Sequence, residues 1–331
     1  MSEAPRIYRV EDQSVLLAFY KRLLWDRLTP CIPAAITPNT LTLIGQVLGV
    51  LSAITCAIAV KGYPLFYVIS AFCMMASLTL DNVDGAHARR TGQCSRRGEL
   101  LDHGLAGITS TSVLVVTGLL LHLDDVLMGI FCALGALTFA SLFWEQLRTG
   151  VLTIPKVGPT EGVTALAIWE VLVAVLGEPA WLRFSYDRVT AGTVIIVVVV
   201  LVHAVAVAPP FFRAAKSGVS GREVAPLFVM VALQLGFILL GAKGIVPGVT
   251  MGLMCAHTTC HMIVLRHRRE RGPVVPRTLY VAILPLVFLL VAPRASAATG
   301  GALLALGIVA AGYGLTLWRG WRLLAAESVP S

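Results

Sequence analysis

Charge is scarce in this chain. Asp, Glu, Lys and Arg make up 13% of the 331 residues and hydrophobic residues 57%. A water-soluble domain carries about a quarter charged residues, so that class is excluded. No cysteine pair has CxxC spacing and no Cys/His set has zinc spacing. The seven cysteines, Cys31, Cys56, Cys73, Cys94, Cys132, Cys255 and Cys260, are scattered, most of them inside apolar runs, and read as small buried hydrophobes. Solenoid, collagen and coiled-coil repeats are missing. The first thirty residues are polar and amphipathic, so no cleavable leader is expected. There is no basic soluble domain either, and therefore no case for nucleic acid as a partner, despite a net charge of +8.

What the chain has is long apolar runs. A membrane span needs about 20 mostly apolar residues, and ten candidates occur, near 41–60, 64–88, 98–121, 125–148, 161–177, 190–212, 223–241, 245–266, 277–293 and 300–318. The expected fold is all-α: a polytopic membrane protein of about ten transmembrane helices. Ahead of them, between Ser14 and Leu28, the residues Val15, Leu16, Phe19, Leu23 and Leu24 recur at helical spacing beside Lys21, Arg22 and Arg27. That pattern suits an N-terminal amphipathic helix in the membrane interface, although a soluble amphipathic helix would look similar. Three parts are expected: 1–38 with the interfacial helix, a helical core over 39–212, and further spans over 213–331. With the N-terminus cytosolic, 21 of the 26 Lys and Arg residues fall inside, which places both termini there.

Carboxylates in such a chain are costly and mark function. Asp81 and Asp84 stand at the end of the second span, in LDNVDGAHARRTG, and Asp102 at the start of the third, in RRGELLDHG. At about 100° per residue, Asp81 and Asp84 share a helix face, and a short polar loop lets Asp102 turn towards them. Three converging carboxylates repel unless a cation neutralises them, and all-oxygen ligation at a phosphate-handling site points to Mg2+ or Mn2+. Gly85 and Ala88 leave room for a ligand against the backbone, Gly98 can do the same for the third helix, and Arg89 offers a fork of donors to phosphate oxygens. Pairing alone leaves open a second reading, in which the aspartates only cap helices or pair with Arg89, Arg90, Arg96 and Arg97.

The spacing Asp81-x2-Asp84-Gly85-x2-Ala88-Arg89-x8-Gly98-x3-Asp102 resembles the signature of the CDP-alcohol phosphotransferase family, at seven of its eight positions. ITPNTLTLIG (36–45) looks like that family's approach to its first span. ARRTG, GELLDHG and WEQLRTGVLTIPKVGPTEG (144–162) are similar to its choline/ethanolamine phosphotransferase branch. The eighth position, a fourth aspartate, is Ala106 here. The resemblance makes 39–212 a catalytic core with its active site on the cytosolic side. It implies attack by a diacylglycerol-like lipid hydroxyl on the β-phosphorus of a CDP-alcohol, with release of CMP, and by family likeness alone a homodimer.

Under that resemblance Asp81, Asp84 and Asp102 hold the metal, and Asn39, Gly85, Ala88, Arg89 and Gly98 line the nucleotide. Arg89 neutralises a phosphate oxygen, and with Ala106 unable to serve, His103 becomes the candidate base; Glu99 and Glu161 are weaker ones. Asn39 and Thr42 could equally act as helix-capping groups. Glu161 and Trp144 could attract a choline or ethanolamine nitrogen, the tryptophan by its ring face, while a helix N-terminal acid is an equal reading of Glu161. Three other functions stay open: a catalytically impaired nucleotide- or lipid-binding protein, a transferase using CDP-diacylglycerol, and a transporter, whose inverted repeats are not found. His257 and His261, four apart, read as interhelical hydrogen-bonding groups, and the basic run Arg266–Arg271 with His267 as an anchor to anionic lipid.

Overall fold

The computed structural model describes residues 9–186, 189–216, 245–270, 272–285 and 295–326, with 228–229, 231–232, 235–240, 242 and 287. The first described elements are a strand, β1 (Arg9–Asp12), and an irregular helical segment built from Leu17–Tyr20, Lys21–Trp25, Asp26–Leu28 and Thr29–Cys31. The first long helices are α1 (Pro38–Ala59), α2 (Leu65–Thr91), α3 (Arg96–Leu120) and α4 (Asp125–Thr149). After them come β2 (Val151–Ile154), α5 (Pro159–Leu176), α6 (Ala191–Lys216), α7 (Val246–Arg268) and α8 (Ala295–Ala326).

Local chemistry explains where the helices start and stop. Thr37 accepts from the Thr40 N–H at 3.3 Å with Pro38 in the first turn, so α1 opens on a side-chain cap and a residue whose missing N–H costs nothing there. Ser95 caps α3 through the Gly98 N–H at 2.9 Å, and Asp124 caps α4 through the N–H groups of Val126 and Leu127. Helix α2 stops at Gly92, whose φ of 69° is the left-handed conformation glycine adopts without a Cβ penalty; Gln93 N–H then donates back to Ala88 O at 2.9 Å.

Among the described residues, seven helices are long and apolar enough to cross a membrane: α1 to α5, α7 and α8. Over its described side chains, α6 is apolar from Ala191 to Leu201. The expected span at 223–241 lies about half outside the described residues, and the one at 277–293 opens as a 3-10 turn, Arg277–Ala282, with most of its remainder also outside them. The all-α polytopic reading therefore holds, with seven spans among the described residues.

Two apolar cores share α3. One joins α1, α2 and α5 to α3 around Met74, Val83, Val116 and Val163. The other packs α3, α4, α7 and α8 around Leu100, Trp144, Met254 and Tyr313. The N-terminal segment exposes Val15, Phe19, Leu23 and Leu28, buries Trp25 at 4% exposure, and stacks Tyr20 on Trp25. An exposed apolar row beside basic residues is the arrangement expected of an interfacial helix. The parallel pairing of β1 with β2, Arg9 opposite Val151 through Asp12 opposite Ile154, was not anticipated.

Candidate active site

The first turns of α1 and α3 and the last turns of α2 meet at one end of the bundle. Thr42, one turn into α1, donates its hydroxyl to Asp84 Oδ2 at 2.5 Å, and both residues are buried, at 4% and 3% exposure. That bond ties the first span to the acidic end of the second. Gly98 lies against Asn39: a Cβ built on Gly98 would stand 3.4 Å from Asn39 Oδ1 and 3.2 Å from Ser95 Oγ. The third span is thereby brought to the same place. A Cβ on Gly85 would meet Arg89 Nη1 at 3.4 Å, so the exposed Arg89 guanidinium arches back over Gly85. Ala88 is half-buried beside it.

Asp81, Asp84 and Asp102 lie within electrostatic reach of one another. His103 Nδ1 stands 3.8 Å from Asp102 Oδ2, with side chains 16% and 27% exposed, and its ring packs 5.5 Å from that of Phe143. Ala106 is half-buried one turn further along α3. Two more histidine contacts set the frame. His87, fully buried on α2, places Nε2 2.8 Å from Ile36 O and Nδ1 3.0 Å from Arg90 Nη2, while Arg90 itself donates to Ile32 O. These bonds pin the 32–36 approach to α1 onto the end of α2. His87 was missed in the sequence because the contact that ties it to α1 is to a backbone oxygen some fifty positions away.

As the side chains lie, no group of three or more His, Cys, Asp or Glu among the described residues is arranged to hold one metal ion. The donor chemistry nevertheless fits a hard divalent cation. Three mutually repelling carboxylates and a hydroxyl offer only oxygen, the ligand type such a cation takes.

Other expected site residues fall elsewhere. Glu161 has both oxygens occupied by backbone donors: Oε1 accepts from Leu16 N–H at 2.8 Å and Oε2 from Gly158 N–H at 2.9 Å. It caps α5 and fastens the N-terminal segment to it. Trp144 is 1% exposed in the core between α3, α4 and α7. Glu99 is paired with Arg266 and with His267, whose Nε2 is 3.0 Å from Glu99 Oε2. This corrects the expectation that Arg266 and His267 belong to a lipid-facing basic run, because both turn inward; Arg268 and Arg269 are exposed as expected. His257 lies 2.7 Å from the Thr316 hydroxyl and 3.3 Å from that of Thr278, the interhelical bonding its position suggested.

The model of the CDP-alcohol phosphatidyltransferase family matches residues 35–208. An uncharacterised class-I protein of that family from Schizosaccharomyces pombe is 31% identical over 186 residues, which is 53% of this chain and 48% of the relative. Cholinephosphotransferase 1 of Homo sapiens is 32% identical over 167 residues (48% and 41%), and that of Gallus gallus 30% over 164 (47% and 49%). The matched segments span about half the length of these relatives or less.

Proposed function

The chain belongs to the CDP-alcohol phosphatidyltransferase family, and on that premise we propose that it transfers a phospho-alcohol head group within the membrane. The donor in this reading is a CDP-alcohol of the CDP-choline or CDP-ethanolamine kind, the acceptor is the hydroxyl of a diacylglycerol-like lipid, and CMP is released. The likeness to cholinephosphotransferases supports this donor class over CDP-diacylglycerol. One observation carries the proposal: three helix ends are gathered, α1 and α2 by the buried Thr42–Asp84 bond and α3 by Gly98 against Asn39, with Arg89 over Gly85.

Each residue has work to do in such a transfer. Asn39, Gly85, Ala88 and Gly98 keep the approach low in bulk, so that a nucleotide can lie close to the backbone. Arg89 offers its fork to a phosphate oxygen. Asp81, Asp84 and Asp102 would hold Mg2+ or Mn2+, which supplies neutralisation of pyrophosphate charge. The acceptor oxygen forms its bond to the β-phosphorus as the bond from that phosphorus to the CMP oxygen breaks. His103 takes the hydroxyl proton, with Asp102 beside it to stabilise the charged ring. The distribution of basic residues supports a cytosolic side for this end of the bundle and for both termini.

A second reading, nucleotide binding without turnover, is favoured by Ala106 at the fourth aspartate position. The two separate in one experiment. Purified protein in lipid receives CDP-choline or CDP-ethanolamine, diacylglycerol and Mg2+ or Mn2+, and CMP release is followed. Metal-dependent CMP release is expected; nucleotide binding with no turnover of any CDP-alcohol leaves only the binding reading. In the same assay His103→Ala is expected to be severely slowed, and a rate near wild type removes it as the base.

A further inference from the structure

Helix α7 lies wholly beyond the segment that the family model matches, yet its last turn is built into the site. Arg266 pairs with Glu99, and His267 reaches the other oxygen of the same carboxylate at 3.0 Å. The three side chains are buried, at 13% exposure for Arg266, 2% for His267 and 7% for Glu99. Glu99 sits in the first turn of α3, directly after Gly98 and one turn before Asp102 and His103, so all three share a helix face. Helix α8 grips the same stretch: the Tyr313 hydroxyl donates to Gly104 O at 2.6 Å, and Arg97 Nε donates to Trp321 O at 3.1 Å.

Glu99 would add a fourth negative charge beside Asp102 were it not met by Arg266. His103 lies within electrostatic reach of Glu99, Asp81 and Arg266 alike. We propose that Arg266 is a positioning residue for the transfer: through Glu99 it fixes the first turn of α3, and with it the side chains of Asp102 and His103. This makes α7 a working part of the site and rests on the transferase reading above. Arginine suits the role because its planar fork fixes both the distance and the orientation of a carboxylate, which a lysine ammonium cannot do. Arg266 acts on the carboxylate and not on the substrate.

The test is a double-mutant cycle of Arg266→Gln, Glu99→Gln and the pair, with Arg266→Lys alongside. CMP release and the affinity for Mn2+ with CDP-choline are both measured, and a thermal melt checks folding. Wild-type CMP release decides the transferase reading; the cycle decides the role of Arg266, in affinity if there is no turnover. Arg266→Gln is expected to lose at least tenfold in kcat with KM for CDP-choline changed less than threefold, or the same tenfold in affinity should turnover be absent. Arg266→Lys should recover part of that loss. The double variant should be no worse than the worse single, since both remove the same contact. Multiplying losses in the double variant, or a loss carried by KM, overturn the proposal, the latter by making Arg266 a substrate contact. If Arg266→Gln does not fold, Arg266→Lys replaces it in the cycle, with the same non-additivity required.

Discussion

Thr42→Val keeps the shape of the side chain and removes one hydroxyl, the donor that Asp84 has from α1 at 2.5 Å. Both residues are buried, so no bulk water replaces the bond. The same hydroxyl stands 3.2 Å from Pro38 O, but its single proton is committed to the shorter contact. A hydrogen bond to a charged group contributes about 1.5–3 kcal/mol, and each 1.36 kcal/mol is a factor of about ten. CMP release should therefore fall by about 10- to 150-fold, as Asp84 loses the orientation that faces it towards Asp81 and Asp102. Thr42→Ser retains the donor and should stay within about threefold of wild type by the same reasoning. Initial rates are measured in lipid with CDP-choline and diacylglycerol, and a thermal melt separates lost orientation from lost fold. Rates for Thr42→Val equal to those of Thr42→Ser would refute the argument that this bond organises the site.

The other predictions concern packing, anchoring and metal. In Gly107→Ala the new Cβ would stand 2.5 Å from Ala256 Cβ and 2.8 Å from its Cα. Backbone cannot yield there, so α3 and α7 must separate, at a cost of about 1–3 kcal/mol seen as a lowered melting temperature. Glu161→Ala leaves the N–H groups of Leu16 and Gly158 without their acceptor. Faster proteolysis of the segment before α1 is expected, with the melt of the bundle little changed. Chelation with EDTA should abolish CMP release, and Mg2+ or Mn2+ should restore it; activity that survives chelation counts against the role given to the three aspartates.

The spans and the acidic motif were legible because both are local. Asp81 and Asp84 are one helical turn apart, and Asp102 lies just past a short loop, so spacing alone brings them together. The contacts that complete the site are not local. Glu161 meets the backbone of Leu16 145 positions away, and Arg266 meets Glu99 across 167. Nothing in either neighbourhood announces such a partner. The run around Arg266 has the composition of a lipid-facing anchor, and only the rotation of α7 shows that its first two members turn inward while Arg268 and Arg269 remain outside. Strands β1 and β2 escaped for a similar reason. Each is four residues long, and their pairing joins positions 142 apart, whereas a periodicity of two needs a longer run to stand out.

The claim that these residues form a metal and CDP site is tested most directly by titrating Mn2+ into the protein by electron paramagnetic resonance, with and without CDP-choline. Wild type is expected to bind Mn2+ more tightly when CDP-choline is present. Asp84→Asn, which keeps the size of the side chain and removes its charge, is expected to lose that nucleotide-dependent binding while remaining folded. Undiminished binding by Asp84→Asn would contradict the account.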